Sequence, residues 1–444
     1  MTLEEIRQVV FQAKPALKTL IETDGSLSIY DYFQKDIPSP KVDIERQKQL
    51  ISAIESKISK LIDEKTAESL AAEMFKNYFI STADHHQPPT HPFFSNANLV
   101  QSLTNQSKGL KNILVLACSN ISLNNSSYPR GLSFHDENLK EIRLPFFSLK
   151  NRHHPVFELP PYQKENLKKI PDEIKEIYAN EKILSAKTYS DQITQTNYAL
   201  WKKVPGECDT NLIYLNQEEI VSDLILSHHL DQPTLINQLL TNPDFQKSFA
   251  KNFENILGAF SPQNHKGTFL FWGLKNGRRI SLSPQDPIFS STLSLKNALQ
   301  NREIFPSMAL SFIVLSFYYH IPCGGGFSQV NYLTEMKTAY LKLLAETNSS
   351  NEEIMAIEKI PTNIFRGEFI FTLIKNWKSA LPATLLDLIL YQKSDTSKII
   401  DDLAKGVKLE NAITYMLPEF YKIITGQKVS LENPIQIPYT INTG

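Results

Sequence analysis

The sequence predicts an α/β protein, with a parallel-sheet core, a helical N-terminal segment and a helical C-terminal part. Three observations carry this expectation. The run Ile113-Leu114-Val115-Leu116-Ala117-Cys118 is short, continuously apolar and bounded by polar residues, as suits a strand buried on both faces of a parallel sheet. A second candidate strand, Tyr78 to Thr82, lies one helix-length upstream, so strand, polar loop, helix and strand make a βαβ unit of about 40 residues. Long flanking stretches repeat apolar residues at helical spacing.

Taken in order, residues 2–22 and 42–76 read as helices. In the second, Ile44, Ile51, Ile54, Ile58, Leu61 and Ile62 recur near helical spacing with Lys and Glu between them. Residues 25–41, with Pro38 and Pro40, read as a loop. The first strand opens into a Pro- and His-rich loop, 83–94, and a helix is expected from about Asn96 to Gln106. The apolar strand opens into a second polar loop, 119–130. Residues 131–160 read as short strands and loops, 163–203 as helix-rich, Leu212-Ile213-Tyr214-Leu215 as a further strand and 217–260 as mostly helical. Asn276-Gly277, between the apolar runs Thr268–Trp272 and Arg279–Leu282, is a strong hairpin signal. From 293 onward the pattern is largely helical, interrupted at Pro322 to Gly326. Met308 to Tyr319 is the most apolar stretch, too short to span a bilayer, and reads as a buried helix. The tail 428–444, with Pro434 and Pro438, reads as extended. The expected organisation is a helical segment over 1–76, a core over 77–345 with inserted helices and a β-hairpin, and a helical part over 346–444.

Composition narrows the function classes. Of 444 residues, 46 are Lys or Arg and 47 are Asp or Glu, giving a net charge of -1. No basic excess is available to neutralise phosphates, which argues against dedicated nucleic-acid binding. A hydrophobic share of 41% argues against disorder. Cys118, Cys208 and Cys323 are odd in number and lack metal-site spacing, which points to a reducing compartment. Met1 to Ile21 is amphipathic and lacks a signal-peptide pattern. The expectation is a cytoplasmic protein with a small-molecule substrate, no nucleic-acid or membrane partner, and self-association left open.

Candidate chemistry gathers in the loops that leave the strands, where open α/β sheets bind ligands. The first loop holds Thr82, Asp84, His85, His86 and His91, with Asn96 just beyond it. The second holds Asn120, Asn124, Asn125 and Arg130. Asp84-His85-His86 resembles the triplet of the DHH phosphoesterases, but no upstream Asp-x-Asp accompanies it. Asp84, His85, His86 and His91 are of the ligand types zinc and iron favour, which makes a metal-dependent hydrolase the alternative reading. Arg152 and His153 sit in a turn before Pro155. Arg278 and Arg279 follow the hairpin turn, where alternation places one outward and its neighbour inward. Cys118 and Cys323 are nucleophiles by residue type alone. No nucleophile elbow, dinucleotide fingerprint or Walker loop is present. Glycine is scarce at 15 residues, yet Gly324, Gly325 and Gly326 stand together. Such a run serves positive φ or close backbone approach, and before a helix it suits an anion site. Gln329, Asn331 and Tyr332 follow it.

The order of these segments resembles, distantly, the bacillithiol synthase family, the cysteine-adding enzymes of low-molecular-weight thiol synthesis. Phe79-Ile80-Ser81-Thr82-Ala83-Asp84-His85-His86 stands where that family has a strand and a Gln-pair loop. Val115 to Asn120, then Asn124-Asn125, stands where it has an apolar strand and an acidic loop. Leu270-Phe271-Trp272 with Gly277-Arg278-Arg279 matches its hairpin, and Gly324-Gly325-Gly326 through Gln329 to Tyr332 its Gly-Gly-Pro-Gly-Glu-x-x-Tyr segment. The resemblance covers roughly 75–345; Asp-His-His replaces the Gln pair, and Gln329 stands in place of Glu. It implies a Rossmann-like core and a small-molecule biosynthetic enzyme forming an amide-type C–N bond between an amino acid or acyl donor and an amine. On this reading Asp84, His85, His86 and His91 carry the chemistry, a histidine being the base. Thr82, Asn96, Asn120, Asn124, Asn125, Arg130, Arg152, His153, Arg278, Arg279, Gly324–Gly326, Gln329 and Tyr332 bind substrate. No motif names a cofactor; a nucleotide or an activated amino acid is the class such chemistry takes. Replacement of the family's loops also allows a third reading, a non-catalytic small-molecule binder with a degenerate pocket.

Overall fold

The computed structural model describes all residues except 39–41, 125–129, 206–209, 260–266, 376–379, 430, 432–440 and 443–444. Asn125 therefore lies outside the described residues. The protein is a mixed α/β chain built on a four-stranded, all-parallel sheet. Its strands are β1 (Ile80–Ser81), β2 (Asn112–Ala117), β3 (Asn211–Asn216) and β4 (Cys323–Gly324), in the spatial order β3-β2-β1-β4. β2 and β3 pair along their whole length, from Asn112 opposite Asn211 to Ala117 opposite Asn216. The short β1 joins them to β4, with Ser81 beside both Val115 and Gly324.

The apolar run of β2 has its reason in this arrangement. Ile113, Val115 and Ala117, with Leu212 and Tyr214 of β3, face one hydrophobic cluster. Leu114 and Leu116, with Ile213 and Leu215, face the other. No position of the strand meets water, so no polar alternation is available. The first cluster unites the N-terminal helices with residues 365–421, and the second takes in residues 50–80 and most of 213–360. The N-terminal helices and residues 365–421 thus lie on the same face of the sheet.

Several expectations change in detail, each for a local reason. The helix expected over 2–22 is two, Leu3–Ala13 and Pro15–Asp24, because Pro15 starts a new helix better than it continues one. The helix over 42–76 divides into Ile44–Leu61 and Glu64–Met74, where Asp63 caps the second through the Thr66 amide at 2.7 Å. The stretch 25–41 is not only loop. Ile29–Gln34 forms a helix that Ser28 caps, burying Ile29, Tyr32 and Phe33. The hairpin forms as expected, Phe271–Lys275 against Arg278–Ser281, with Asn276 at φ 53 and Gly277 at φ 70. A third strand, Ile304–Pro306, joins it from the region read as helical. The apolar stretch from Met308 is buried, an α-turn at Met308–Phe312 passing into a π-helix at Ile313–Tyr318. The C-terminal part also contains a small sheet of Leu373–Lys375, Ala380–Pro382 and Ile441–Asn442. Among the described residues, no helix is long and apolar enough to cross a membrane.

Candidate functional site at the carboxyl ends of the strands

Between β1 and β4 the chain order of the sheet reverses. Such a switch point opens a crevice at the carboxyl ends of the strands. The loops leaving β1, β2 and β4 meet there. The Thr82 amide donates to the Gly324 carbonyl at 2.8 Å, and Thr82 Oγ1 accepts from Gln329 Nε2 at 2.7 Å. The Cys118 amide donates to the Asp84 carbonyl at 3.1 Å, and the His86 amide to the Cys118 carbonyl at 2.8 Å. Two polar loops and the glycine run are therefore hydrogen-bonded into one wall.

The glycine run serves close approach, not positive φ, since none of its three residues is left-handed. Each glycine makes room for neighbouring side chains. A Cβ on Gly324 would lie 2.7 Å from Arg366 Cγ and from Phe79 Cζ; one on Gly325 would meet Gln329, and one on Gly326 would lie 2.5 Å from Glu368 Cδ. Gln329–Glu346 forms the helix α1 that follows. Its expected role as an anion site is fulfilled from within the chain, because a Glu368 carboxylate oxygen accepts from the Phe327 amide.

Glu368 is the residue that sequence reasoning missed most completely. Its backbone is left-handed at φ 64, a strained state for a residue with a Cβ. Burial pushes its carboxyl up to about 7, against the opposing pull of the Phe327 amide and Lys14. Asp84 lies near enough to feel its charge. Burial raises Asp84 to about 8, although the Tyr214 hydroxyl and the His85 amide both donate to it at 2.6 Å. The Tyr332 phenol, raised well above its ordinary value by burial, lies within the field of Glu368, Cys118 and Cys323. At the loops after β1 and β4, Glu368 and Asp84 are therefore carboxyls that exchange a proton near neutral pH, while the Tyr332 phenol stays protonated there.

A second group forms at β2 and β3. Gln217–His228, the helix α2, follows β3 directly, and Asn216 caps it. Glu218 in its first turn is fully buried. It accepts from the Ser119 amide, Ser119 Oγ and Asn120 Nδ2, each at 2.7 Å, and from Cys118 Sγ at 3.5 Å. Glu218 thus fixes the loop after β2. Burial and Glu218 together hold the Cys118 thiol well above its ordinary value, so it is not a ready thiolate. Arg279 is the inward member of its pair and lies over the Trp272 ring at 4.7 Å, within the field of Cys118 and Glu218; Arg278 is exposed. The alternation argument holds here. The signal for Glu218 was present in Asn216-Gln217-Glu218-Glu219, a capped helix start at the end of a strand. Glu368 gave none, because only tertiary contact places it.

The remaining candidates do other work. His86 is fully buried and faces Ser190 and Thr194, each at 3.4 Å, on the helix α3 spanning Tyr189–Trp201. His91 caps the helix Pro92–Ser107. Burial lowers His85 and His86 to about 4 and His91 to about 3, so the expected histidine base is a weak one. Asn96 is a buried clamp between chain segments. Its Oδ1 accepts from the Phe371 and Thr372 amides at 3.0 and 2.9 Å, and its Nδ2 donates to the Pro92 carbonyl at 2.7 Å. Arg130 donates to the Phe147 carbonyl at 2.8 Å. Arg152 and His153 are exposed and bond each other at 2.9 Å, and exposed Asn124 is tied by its amide to the Arg152 carbonyl. Asp84, His85, His86 and His91 do not converge as ligands: among the described residues, no group of three or more His, Cys, Asp or Glu side chains is placed to hold a metal ion. Comparison of the chain with family models, curated proteins and solved structures gave no match.

Proposed function

We propose that the protein is a small-molecule enzyme that forms an amide-type C–N bond in the cleft between β1 and β4, with Glu368 as its acid–base group. The observation that carries the reading is Glu368 itself, held in a left-handed backbone against Gly326. A carboxyl poised near 7 is tuned to accept a proton from an attacking amine and return it to a leaving group. Protonated Asp84 and the Tyr332 hydroxyl supply neutral donors for a developing oxyanion. Glu218 is a positioning residue, holding Ser119 and Asn120 at the mouth. The strand order β3-β2-β1-β4 supports the Rossmann-like reading, being that of the first four strands of a doubly wound sheet. The resemblance to the bacillithiol synthase family supplies the bond type, with the histidines moved from base to scaffold.

The test is direct. Purified protein is incubated with amino-sugar and amino-acid acceptors, and with free or ATP-activated amino acids as donors. Products are read by mass as condensation of the two. The expected result is a condensation product that Glu368→Gln reduces by about 100-fold or more while Arg278→Gln does not. Equal turnover by Glu368→Gln, or no product from any pair, overturns the reading.

A further inference from the structure

The opposite end of the sheet carries a cavity, and we infer that it is a binding site for a phosphate-bearing small molecule. It has a volume of about 260 Å3 and lies before β1, beside residues 77–79. Arg366, Lys35, Lys76 and Lys108 line it, against a single acidic side chain, Asp36. A cavity of this size holds a phosphate group together with a small ring or sugar.

Arg366 decides the ligand class. Only 5% of it is exposed. Its guanidinium packs over the rings of Phe33 and Tyr32, at 4.3 and 5.0 Å, hydrogen-bonds the Tyr32 hydroxyl and donates to its neighbour Phe365's carbonyl at 3.3 Å. Its Nε has no partner, and no carboxylate among the described residues forms an ion pair with it. A buried cation normally has a counter-charge, because an unpaired one is costly. Here the counter-charge is to come from the cavity. Lys76 is exposed at the rim, Lys35 is bound to Asp24 at 2.7 Å, and Lys108 reaches the Gln34 carbonyl at 3.2 Å. Guanidinium with ammonium groups is the donor set that recognises phosphate oxygens, bidentate from arginine and as point charges from lysine. Phe75, half exposed on the same wall, offers a face to a ring. The reading of this site does not rest on the carboxyl-end chemistry.

The experiment measures binding by calorimetry to the full chain, with sodium chloride at matched ionic strength as reference. Inorganic phosphate and adenosine monophosphate are the two probes. Arg366→Gln removes the central cation, and the exposed pair Lys76→Glu/Lys108→Glu provides a second variant whose folding does not depend on the core. The expected result is saturable binding of both probes, tighter for the monophosphate ester, weakened about tenfold or more in either variant. A free-phosphate site binds both equally, which overturns the ester-plus-ring assignment. Binding unchanged in the lysine variant, or none above chloride, overturns the site.

Discussion

Glu368→Gln tests through stability alone whether the carboxyl is held protonated in the fold, which its acid–base role requires. In the unfolded chain the group titrates at 4.5, and in the fold at about 7. A carboxyl raised on folding gives its full stabilisation below 4.5, and that is lost as pH rises through about 7, because the folded state binds the extra proton. The gap corresponds to about 3 kcal/mol over the whole range, and about 2 kcal/mol between pH 5 and pH 8 after allowing for its partial exposure. Glutamine keeps the shape and the left-handed strain but cannot ionise. Denaturation curves at about pH 5 and pH 8 are therefore expected to show the wild type losing about 2 kcal/mol more than the variant across that interval. Asp84 feels the Glu368 charge, so the difference reports Glu368 together with its coupling to Asp84. Parallel pH dependence in the two proteins would refute the claim that Glu368 is held protonated, and with it the acid–base role.

Two further substitutions test the framework. Gly326→Ala drives a Cβ into the Glu368 carboxyl; because the far end of a flexible side chain can move aside, the stability loss is expected at about 1–3 kcal/mol. Turnover falls to the level of Glu368→Gln, and a variant with wild-type turnover would show that the carboxyl need not sit against the run. Asp387, buried on the helix Leu385–Leu390, accepts from the His135 amide at 2.7 Å and from His135 Nδ1 at 2.8 Å. Burial lowers the His135 imidazole, but the hydrogen bond and charge of Asp387 outweigh it and hold it above 6.5. Stability from this pair is therefore complete below 6.5 and lost as pH rises through the higher folded value. Asp387→Asn is expected to cost about 3 kcal/mol at low pH and less at high pH, read from denaturation midpoints at both.

The sequence announces some of these features and is silent on others for physical reasons. β2 is legible because both of its faces are buried, leaving an unbroken apolar run. The hairpin is legible because Asn276 and Gly277 both need positive φ. β1 and β4 are two residues each, too short for any period to register; the first is read within the candidate strand Tyr78 to Thr82, and the second, inside the glycine run, does not read as a strand. The loops at 82–92, 119–124 and 322–332 meet as the strand-end argument expects, yet the histidines within them are buried by helices whose packing no local pattern reveals. Asn96 looks like a ligand because it is a polar residue in an apolar helix. Its carbonyl in fact satisfies two backbone amides of a segment more than 270 residues away.

The segment Arg366-Gly367-Glu368 ties the two proposed sites together. Phe365 bridges Gly325 in parallel, the Gly325 amide donates to the Ile364 carbonyl and the Arg366 amide to the Gly325 carbonyl, both at 2.9 Å, so this strap extends the sheet beyond β4. From it Arg366 passes under Gly324 toward the amino end, and Glu368 reaches Gly326 at the carboxyl end. Gly367 between them packs on Ala83, where a Cβ would lie 2.7 Å from the alanine's own. The left-handed turn at Glu368 costs about 1 kcal/mol, and a buried unpaired arginine costs more. Local stability favours neither feature. Their adjacency on one strap, each against its own glycine, is what a fold selected for packing alone would not require. It accounts for Gly324 and Gly326, with Gln329 accounting for Gly325 between them, in a chain that otherwise uses few glycines.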